Sequence, residues 1–356
     1  MTRNVIAFNF DGTGNEPLDS SSESEARGEN ISNILKLHFF MGGGLYGGSR
    51  YGESARENVK ASYYYQGIGT YGNVLSNALE VAFAFSRGDK KEILDSAMYD
   101  FVRTYQKGDT VIVTGFSRGA ALARHFVSMI ENQVTCTTRP FVFLCVFDTV
   151  TSSGMPDLSS DIRPSNESLY DMKCSLSPIV CKALHMVSID EQRRVFRPNL
   201  MNYDADRVEE IWFPGVHSNI GGGFFDDGLS DITLSHSLQW LIHLMKCRLL
   251  PTFSLDLQSL SISKVLPPIY RNVIDVSDLK IKPNEMGRIH YKQRKGFFNK
   301  LTLESRLVCV LKDDHVVTDG LYLPMIHPSV ILRMKRDRDY KPQGLEGIKT
   351  NIFTGY

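Results

Sequence analysis

Thr110-Val-Ile-Val-Thr-Gly115-Phe-Ser117-Arg-Gly119-Ala-Ala-Leu-Ala-Arg-His-Phe-Val-Ser-Met-Ile130 is the stretch that decides the fold. Its first five residues are β-branched and follow Gly108-Asp109, so they read as a buried strand. From Ala121 to Ile130 the apolar residues recur at helical spacing. Between strand and helix stands Gly115-Phe-Ser-Arg-Gly119, a G-x-S-x-G turn. Such a turn is sharp and strained. A side chain at Gly115 or Gly119 would collide with the adjoining strand or helix. The turn lifts the Ser117 hydroxyl from the carboxyl end of a sheet. It also puts the Arg118 amide at a helix N-terminus, where it can stabilise a developing oxyanion. A glycine-flanked turn with an idle serine is the competing reading; the strand before it and the helix after it favour a nucleophile.

Outward from this turn, strands and helices alternate. Lys90 to Tyr105 carries Ile93, Leu94, Ala97, Met98, Phe101 and Val102 on one side of a helix. Phe141-Val-Phe-Leu-Cys-Val-Phe147 is apolar throughout, as a strand covered on both faces must be. Residues 4–10, Ala61–Tyr65, Leu184–Ile189 and Glu210–Phe213 read as further strands, and Asn30–Phe40 as a helix. The expected architecture is one α/β-hydrolase domain over residues 1–356, with a mostly parallel central sheet and helices on both faces. Six glycines between Met41 and Gly52 suit a hinged lid over residues 40–60. Residues 151–182 read as a polar insertion, and Val74–Phe85 as a core helix in preference to a lipid-facing lid. In the last third, Leu307–Leu311 and Val330–Leu332 look like strands. The run Arg333–Lys341 is basic; it reads as a solvated face, with transient contact to a membrane surface as the alternative.

Chemistry-bearing residues cluster at the expected strand ends. The first strand runs into Asp11-Gly12-Thr13-Gly14-Asn15, a tight turn with free backbone amides. An α/β-hydrolase takes its second oxyanion donor from a loop after a neighbouring strand, which points to Gly12 or Thr13. Two aspartates compete for the triad acid. Asp148 ends the strand after the nucleophile strand, and Asp190 ends the next one. Asp148 is preferred, because Arg193 and Arg194 give Asp190 a structural partner close by. His217 lies on a loop after Glu210–Phe213, downstream of Ser117 and of both acids. That is the Ser, Asp, His order of α/β-hydrolases, with the imidazole as general base. His315, in Lys312-Asp-Asp-His315, is the strongest rival base.

Composition excludes several other classes. Forty basic and forty acidic residues leave no net charge, which argues against a nucleic-acid partner. No apolar run approaches the roughly 20 residues of a transmembrane helix. The N-terminal segment is broken by Asn4, Asn9 and Asp11, so it reads as a strand and not a signal-peptide core. A protein made in the cytoplasm and exported, if at all, without a cleaved signal is expected. The six cysteines form no C-x-x-C pair. Cys145 and Cys309 read as core residues, and Cys174 and Cys181 as a reduced pair. No cluster has metal-ligand spacing, and acyl transfer through serine needs no cofactor.

Four stretches taken together resemble one family: Phe10-Asp-Gly-Thr-Gly-Asn15, Gly115-Phe-Ser-Arg-Gly-Ala120, Asp148-Thr-Val150 and Trp212-Phe-Pro-Gly-Val-His-Ser-Asn-Ile-Gly-Gly-Gly-Phe224. Tyr65-Gln-Gly-Ile-Gly-Thr70, Asp190-Glu-Gln-Arg193 and Ile326-His-Pro-Ser-Val330 support them. The chain is similar in these stretches to the catalytic domain of the type VI secretion lipase effectors of the first family. The resemblance implies a serine phospholipase or related carboxylic ester hydrolase. It carries over Ser117 as nucleophile and His217 as base, and points to Asp148 as acid. One departure stands at Asn219, where the family shows His-Ser-Asp. A small-ester esterase or thioesterase, and a non-catalytic binding protein on the same fold, remain as alternatives.

Overall fold

The computed structural model describes residues 4–12, 29–46, 52–67, 87–135, 138–151, 175–224, 228–256, 265–271, 274, 276–291, 303–317 and 320–356. Thr13, the apolar stretch Val74–Phe85, Cys174 and most of the 151–182 insertion lie outside these residues. In chain order the elements are β1 (Val5–Phe10), β2 (Glu29–Ser32), α1 (Asn33–Phe40), β3 (Val59–Tyr65), α2 (Arg87–Thr104), β4 (Thr110–Phe116) and α3 (Ser117–Gln133). There follow β5 (Phe141–Phe147), β6 (Val180–Ser188), β7 (Val208–Phe213), α4 (His217–Gly221), β8 (Gly222–Phe224) and α5 (Gly228–Lys246). The last are β9 (Val310–Lys312), β10 (His315–Val317), β11 (Met325–Ile326), α6 (Pro328–Arg336) and β12 (Asn351–Ile352).

Among the described residues, eight strands form one sheet in the order β12-β11-β7-β6-β5-β4-β1-β3. Every neighbouring pair in it is parallel. A parallel sheet must be covered on both faces, and alternation along the strands divides its side chains between two cores. Ile6, Phe8 and Phe10 of β1 pack with Phe101 of α2 and Phe126 of α3 on one face. Val5 and Ala7 share the other face with Leu35 of α1 and Trp240 of α5. The result is an α/β-hydrolase fold. Its consequence for chemistry is simple: parallel strands all end at one edge. Asp11, Ser117, Asp148, Asp190 and His217 therefore leave the sheet on the same side, where open parallel sheets hold their ligands.

Some boundaries differ from the sequence reading. The segment Glu29–Ser32 opens as a strand paired with β8, and the helix begins only at Asn33. Ser32 caps that helix, its hydroxyl accepting the Leu35 amide at 3.1 Å. Val330–Leu332, read as a strand, belongs to helix α6, which starts with Pro328 after the His327 cap. Three consecutive apolar residues fit either period, and the proline at the first turn decides for helix. Leu307–Leu311 contributes only its end to β9, in a hairpin with β10. Its turn is Asp313-Asp314, with φ of 52° and 64°. In the expected lid, the described residues on either side of 47–51 are tied down: Leu45 N–H bonds Val265 O at 2.9 Å, and Ala55 N–H bonds Gly42 O at 2.8 Å. The Cys145 and Cys309 side chains lie in the core, as expected.

Candidate active site

Ser117 is the first residue of α3 and holds φ at +57°, a conformation few side chains adopt. The two glycines show what forces it. A Cβ at Gly115 would stand 2.6 Å from Ala120 Cα, and one at Gly119 would stand 2.3 Å from the Asp11 carbonyl oxygen. The start of α3 is thus pressed against the end of β1, with no room for a methyl group. The strain holds the serine at the rim of the sheet. Arg118 follows as the second residue of the helix, where backbone N–H groups have no intrahelical acceptor. Its side chain is buried, and desolvation brings the guanidinium down to about 10, so it keeps its charge at neutral pH.

His217 is the first residue of the short helix α4, not of an irregular loop. Its Nε2 lies 2.8 Å from Ser117 Oγ, and its Nδ1 lies 2.5 Å from Asp148 Oδ2. An ionised carboxylate only accepts, so Nδ1 carries the hydrogen and the Nε2 lone pair faces the serine hydroxyl. The ring packs against Phe116, at 4.8 Å, and Phe196, at 4.7 Å between centroids. Burial lowers the affinity of His217 for a proton; the hydrogen bond and charge of Asp148 oppose this, and Arg193 adds to it. The net direction is down, which leaves the imidazole neutral and ready to accept a proton at pH 7.

Asp148 follows β5 with φ of +42° and is wholly buried. Its Oδ1 accepts the Ser188 amide at 3.0 Å and Arg306 Nη1 at 2.6 Å. Its Oδ2 accepts His217 and, at 2.9 Å, Arg306 Nη2. Burial alone would raise this carboxyl's pKa. The charge of Arg306 and the bond and charge of His217 outweigh it and hold the group well below the usual carboxylate range. Nothing in the sequence singles out Arg306, which stands 158 positions after its partner in a segment without periodicity.

Asp190 is buried too, but its surroundings differ. Its Oδ2 accepts the Gly215 amide at 2.7 Å and the Tyr340 hydroxyl at 2.8 Å. Burial pushes its pKa up to about 6 against the pull of these bonds and of Arg333 and Arg306. The expected pairing with Arg193 and Arg194 does not form. Arg193 instead gives Nε and Nη2 to Glu191, at 2.8 and 2.7 Å, and Arg194 faces Glu304 at 3.4 Å. The Asp190 carboxylate is occupied by the Gly215 amide and the Tyr340 hydroxyl, while Glu191, two residues from Arg193, reaches its fork. Glu191 also accepts the His217 backbone N–H at 3.2 Å. Burial would raise its pKa, but the charge and bonds of Arg193 bring it down to about 2. Sequence reading passed over Glu191, although it lies inside the Asp190–Arg193 motif.

The end of β1 is organised by Asp11. Its Oδ2 accepts Ser32 Oγ at 2.5 Å and Tyr64 Oη at 2.6 Å, and its Oδ1 accepts the Gly12 amide at 2.6 Å. The Gly12 N–H is therefore not free in this arrangement, contrary to the expectation of open amides there. Asn219 is buried beside the base. Its Oδ1 accepts the amides of Val216, at 3.1 Å, and His290, at 3.3 Å, and its Nδ2 donates to Arg288 O at 3.3 Å. An aspartate could accept the first two bonds but could not make the third. His315 is exposed on the β9–β10 hairpin. His236 packs its ring against Phe213, His327 and Phe353. Among the described residues, no helix is long and apolar enough to cross a membrane.

A family model described as the T6SS phospholipase effector Tle1-like catalytic domain matches residues 3–136 and 131–243. No curated protein matches the chain. Among solved structures, an uncharacterized protein from Pseudomonas aeruginosa aligns at 17% identity and TM-score 0.43, over 80% of this chain and 49% of that one. The chain thus spans about half the length of that protein. A structure from work on LipS and LipT, two metagenome-derived lipolytic enzymes, aligns at 14% identity and TM-score 0.34, over 67% and 94% of the two chains. The apo form of Thermogutta terrifontis esterase 2 aligns at 11% identity and TM-score 0.32, over 68% and 84%.

Proposed function

The chain belongs to the family of T6SS phospholipase effector Tle1-like catalytic domains, and we propose that it is a serine phospholipase acting through Ser117, His217 and Asp148. One observation carries the reading: three buried side chains from three strand ends form a continuous relay, 2.5 Å from Asp148 to His217 and 2.8 Å from His217 to Ser117. In the first step His217 Nε2 takes the Ser117 proton as Oγ bonds to the ester carbonyl carbon, and the carbonyl oxygen becomes an oxyanion. The Arg118 amide at the start of α3 supports that charge. The second donor is the amide of Gly12, at the end of β1, or of Thr13, which follows it in sequence and lies outside the described residues. A Gly12 donor exchanges its bond to Asp11 for one to the oxyanion as the charge develops.

Collapse of the adduct breaks the bond to the alcohol portion, which leaves with the proton from His217. An acyl-serine remains. His217 then deprotonates a water, whose oxygen attacks the acyl carbon, and the fatty acid departs as Ser117 recovers its proton. Asp148 keeps the imidazole in the tautomer the sequence of steps requires and stabilises the imidazolium between them. The substrate is a phospholipid or a related ester, met at a membrane surface, and delivery is by a type VI secretion system, which uses no cleaved signal.

The test is product analysis after incubation with a mixed phospholipid extract, for the wild type and Ser117→Ala. Release of fatty acid and lysophospholipid by the wild type is expected. The substitution should lower kcat on the order of 10⁴-fold or more. Equal rates for the two proteins would remove Ser117 from the mechanism. Activity confined to short p-nitrophenyl esters or thioesters would assign a small-ester hydrolase. No labelling of Ser117 by a fluorophosphonate would favour a binding protein.

A further inference from the structure

Arg306 lies beyond the residues that the family model matches, yet it touches the centre of the site. We propose that Arg306 is a positioning residue: its guanidinium clamps Asp148 against the base and makes the C-terminal third of the chain part of the catalytic unit. The inference rests on reading Asp148, His217 and Ser117 as an acyl-transfer relay.

The geometry of the fork supports it. Nη1 and Nη2 reach the two oxygens of one carboxylate, at 2.6 and 2.9 Å, the bidentate arrangement that fixes a carboxylate plane. The same two nitrogens continue past the acid. Nη1 also donates to Ser188 O at 2.9 Å, and Nη2 donates to Phe196 O. Ser188 ends the neighbouring strand and gives its own amide to Asp148. Phe196 forms one wall of the imidazole, and Arg193 stacks on its ring at 3.8 Å. One side chain thus ties the acid, the strand end beside it and the wall of the base to a common point. Its own burial prevents it from acting as a loose surface charge.

A buried carboxylate beside a single imidazole would bind a proton into the pair strongly, whichever atom held it. A fixed cation on the far side of the carboxylate weakens that affinity and keeps the resting pair unprotonated. Among the described residues, the other charged groups acting on the base are Arg193 and Glu191, which neutralise one another across 2.7 Å. Beneath the Asp148 turn, His185 accepts the Thr149 amide at 3.1 Å and is held by Glu210 at 2.8 Å. Asp190 is directed at Gly215 and Tyr340. Among the described residues, Arg306 is the arginine in direct contact with the acid.

The experiment compares the wild type, Arg306→Lys and Arg306→Gln on one soluble ester. Rates are expressed per site labelled by fluorophosphonate, and kcat/KM is followed from pH 4.5 to 9. Arg306→Gln removes the charge, so the acidic limb of the profile should move up by about 1–3 pH units. Its kcat should fall by about 10²-fold, less than the ~10⁴-fold expected for loss of the acid itself. Arg306→Lys keeps a charge without the fork; its limb should stay near that of the wild type while kcat is only partly recovered. Profiles that superimpose, with any loss explained by fewer labelled sites, would overturn the proposal and leave Arg306 a packing residue. Absence of Ser117-dependent labelling in the wild type would overturn the relay itself, and this inference with it.

Discussion

Asp148 and Asp190 make an informative pair. Each is a buried aspartate just beyond one of two neighbouring parallel strands, β5 and β6. By residue type, burial and position they are nearly equivalent. Their proton affinities nevertheless move in opposite directions. Asp148 accepts from a bidentate arginine and a histidine, and it stays ionised. Asp190 accepts from an amide and a phenol, both neutral, and it is pushed up to about 6. Burial raises both; a cation within hydrogen-bond distance reverses the outcome for one. Only a carboxylate that stays ionised can stabilise an imidazolium, so the partners separate the two roles and the position along the chain does not.

The largest effect that tests this contrast is on turnover. Asp148→Asn should cost on the order of 10⁴ in kcat, because the amide presents the wrong partner to Nδ1. Asp190→Asn should stay within about tenfold, since its Oδ1 can still accept the Gly215 amide. Steady-state kinetics on a single ester settles the comparison, and a larger loss at Asp190 would invert the assignment.

A smaller effect appears in stability. The Asp190 carboxyl binds its proton more tightly in the folded state, about 6 against an ordinary 3.8, so its contribution is fully present below about 4. It is lost as pH rises through 6. The whole change is on the order of 3 kcal/mol. Asp148 behaves oppositely: its contribution is present above about 4 and is lost as pH falls below that. Thermal melts between pH 4 and 7 should show a decline in the wild type that Asp190→Asn removes. Parallel Tm curves for the two proteins would show that Asp190 does not titrate in this window.

The smallest effect belongs to Tyr340. Tyr340→Phe deletes one hydrogen bond to Asp190, worth about 1 kcal/mol, and leaves the carboxylate less well solvated. The Asp190 step in the melting curves should then shift to higher pH while kcat is unchanged. An unshifted step would mean that the hydroxyl is paired elsewhere.

The legible features share a physical cause. Apolar runs such as Phe141–Phe147 and the β-branched Thr110–Thr114 are long enough and rich enough in strand-forming residues to read as strands buried on two faces, and so imply a parallel sheet. Parallel strands deliver whatever follows them to one edge, which is why Ser117, Asp148, Asp190 and His217 were recognisable as a group. Gly115 and Gly119 announce the close approach of α3 to β1 because no other residue fits there. Local pattern failed where more than one period fits a short run, as at Val330–Leu332, and where a partner is remote in sequence.

By itself, then, the sequence determined the sheet, the strained serine turn and the set of groups at its rim, since these follow from periodicity and from residues a few positions apart. The tertiary structure decided which carboxylate meets the imidazole. Asp148 meets the ring and is held as well by Arg306, 158 positions away, while Asp190 bonds Gly215 and Tyr340. Proton affinity depends on the charges within a few ångströms, and those neighbours are assembled only when the chain folds.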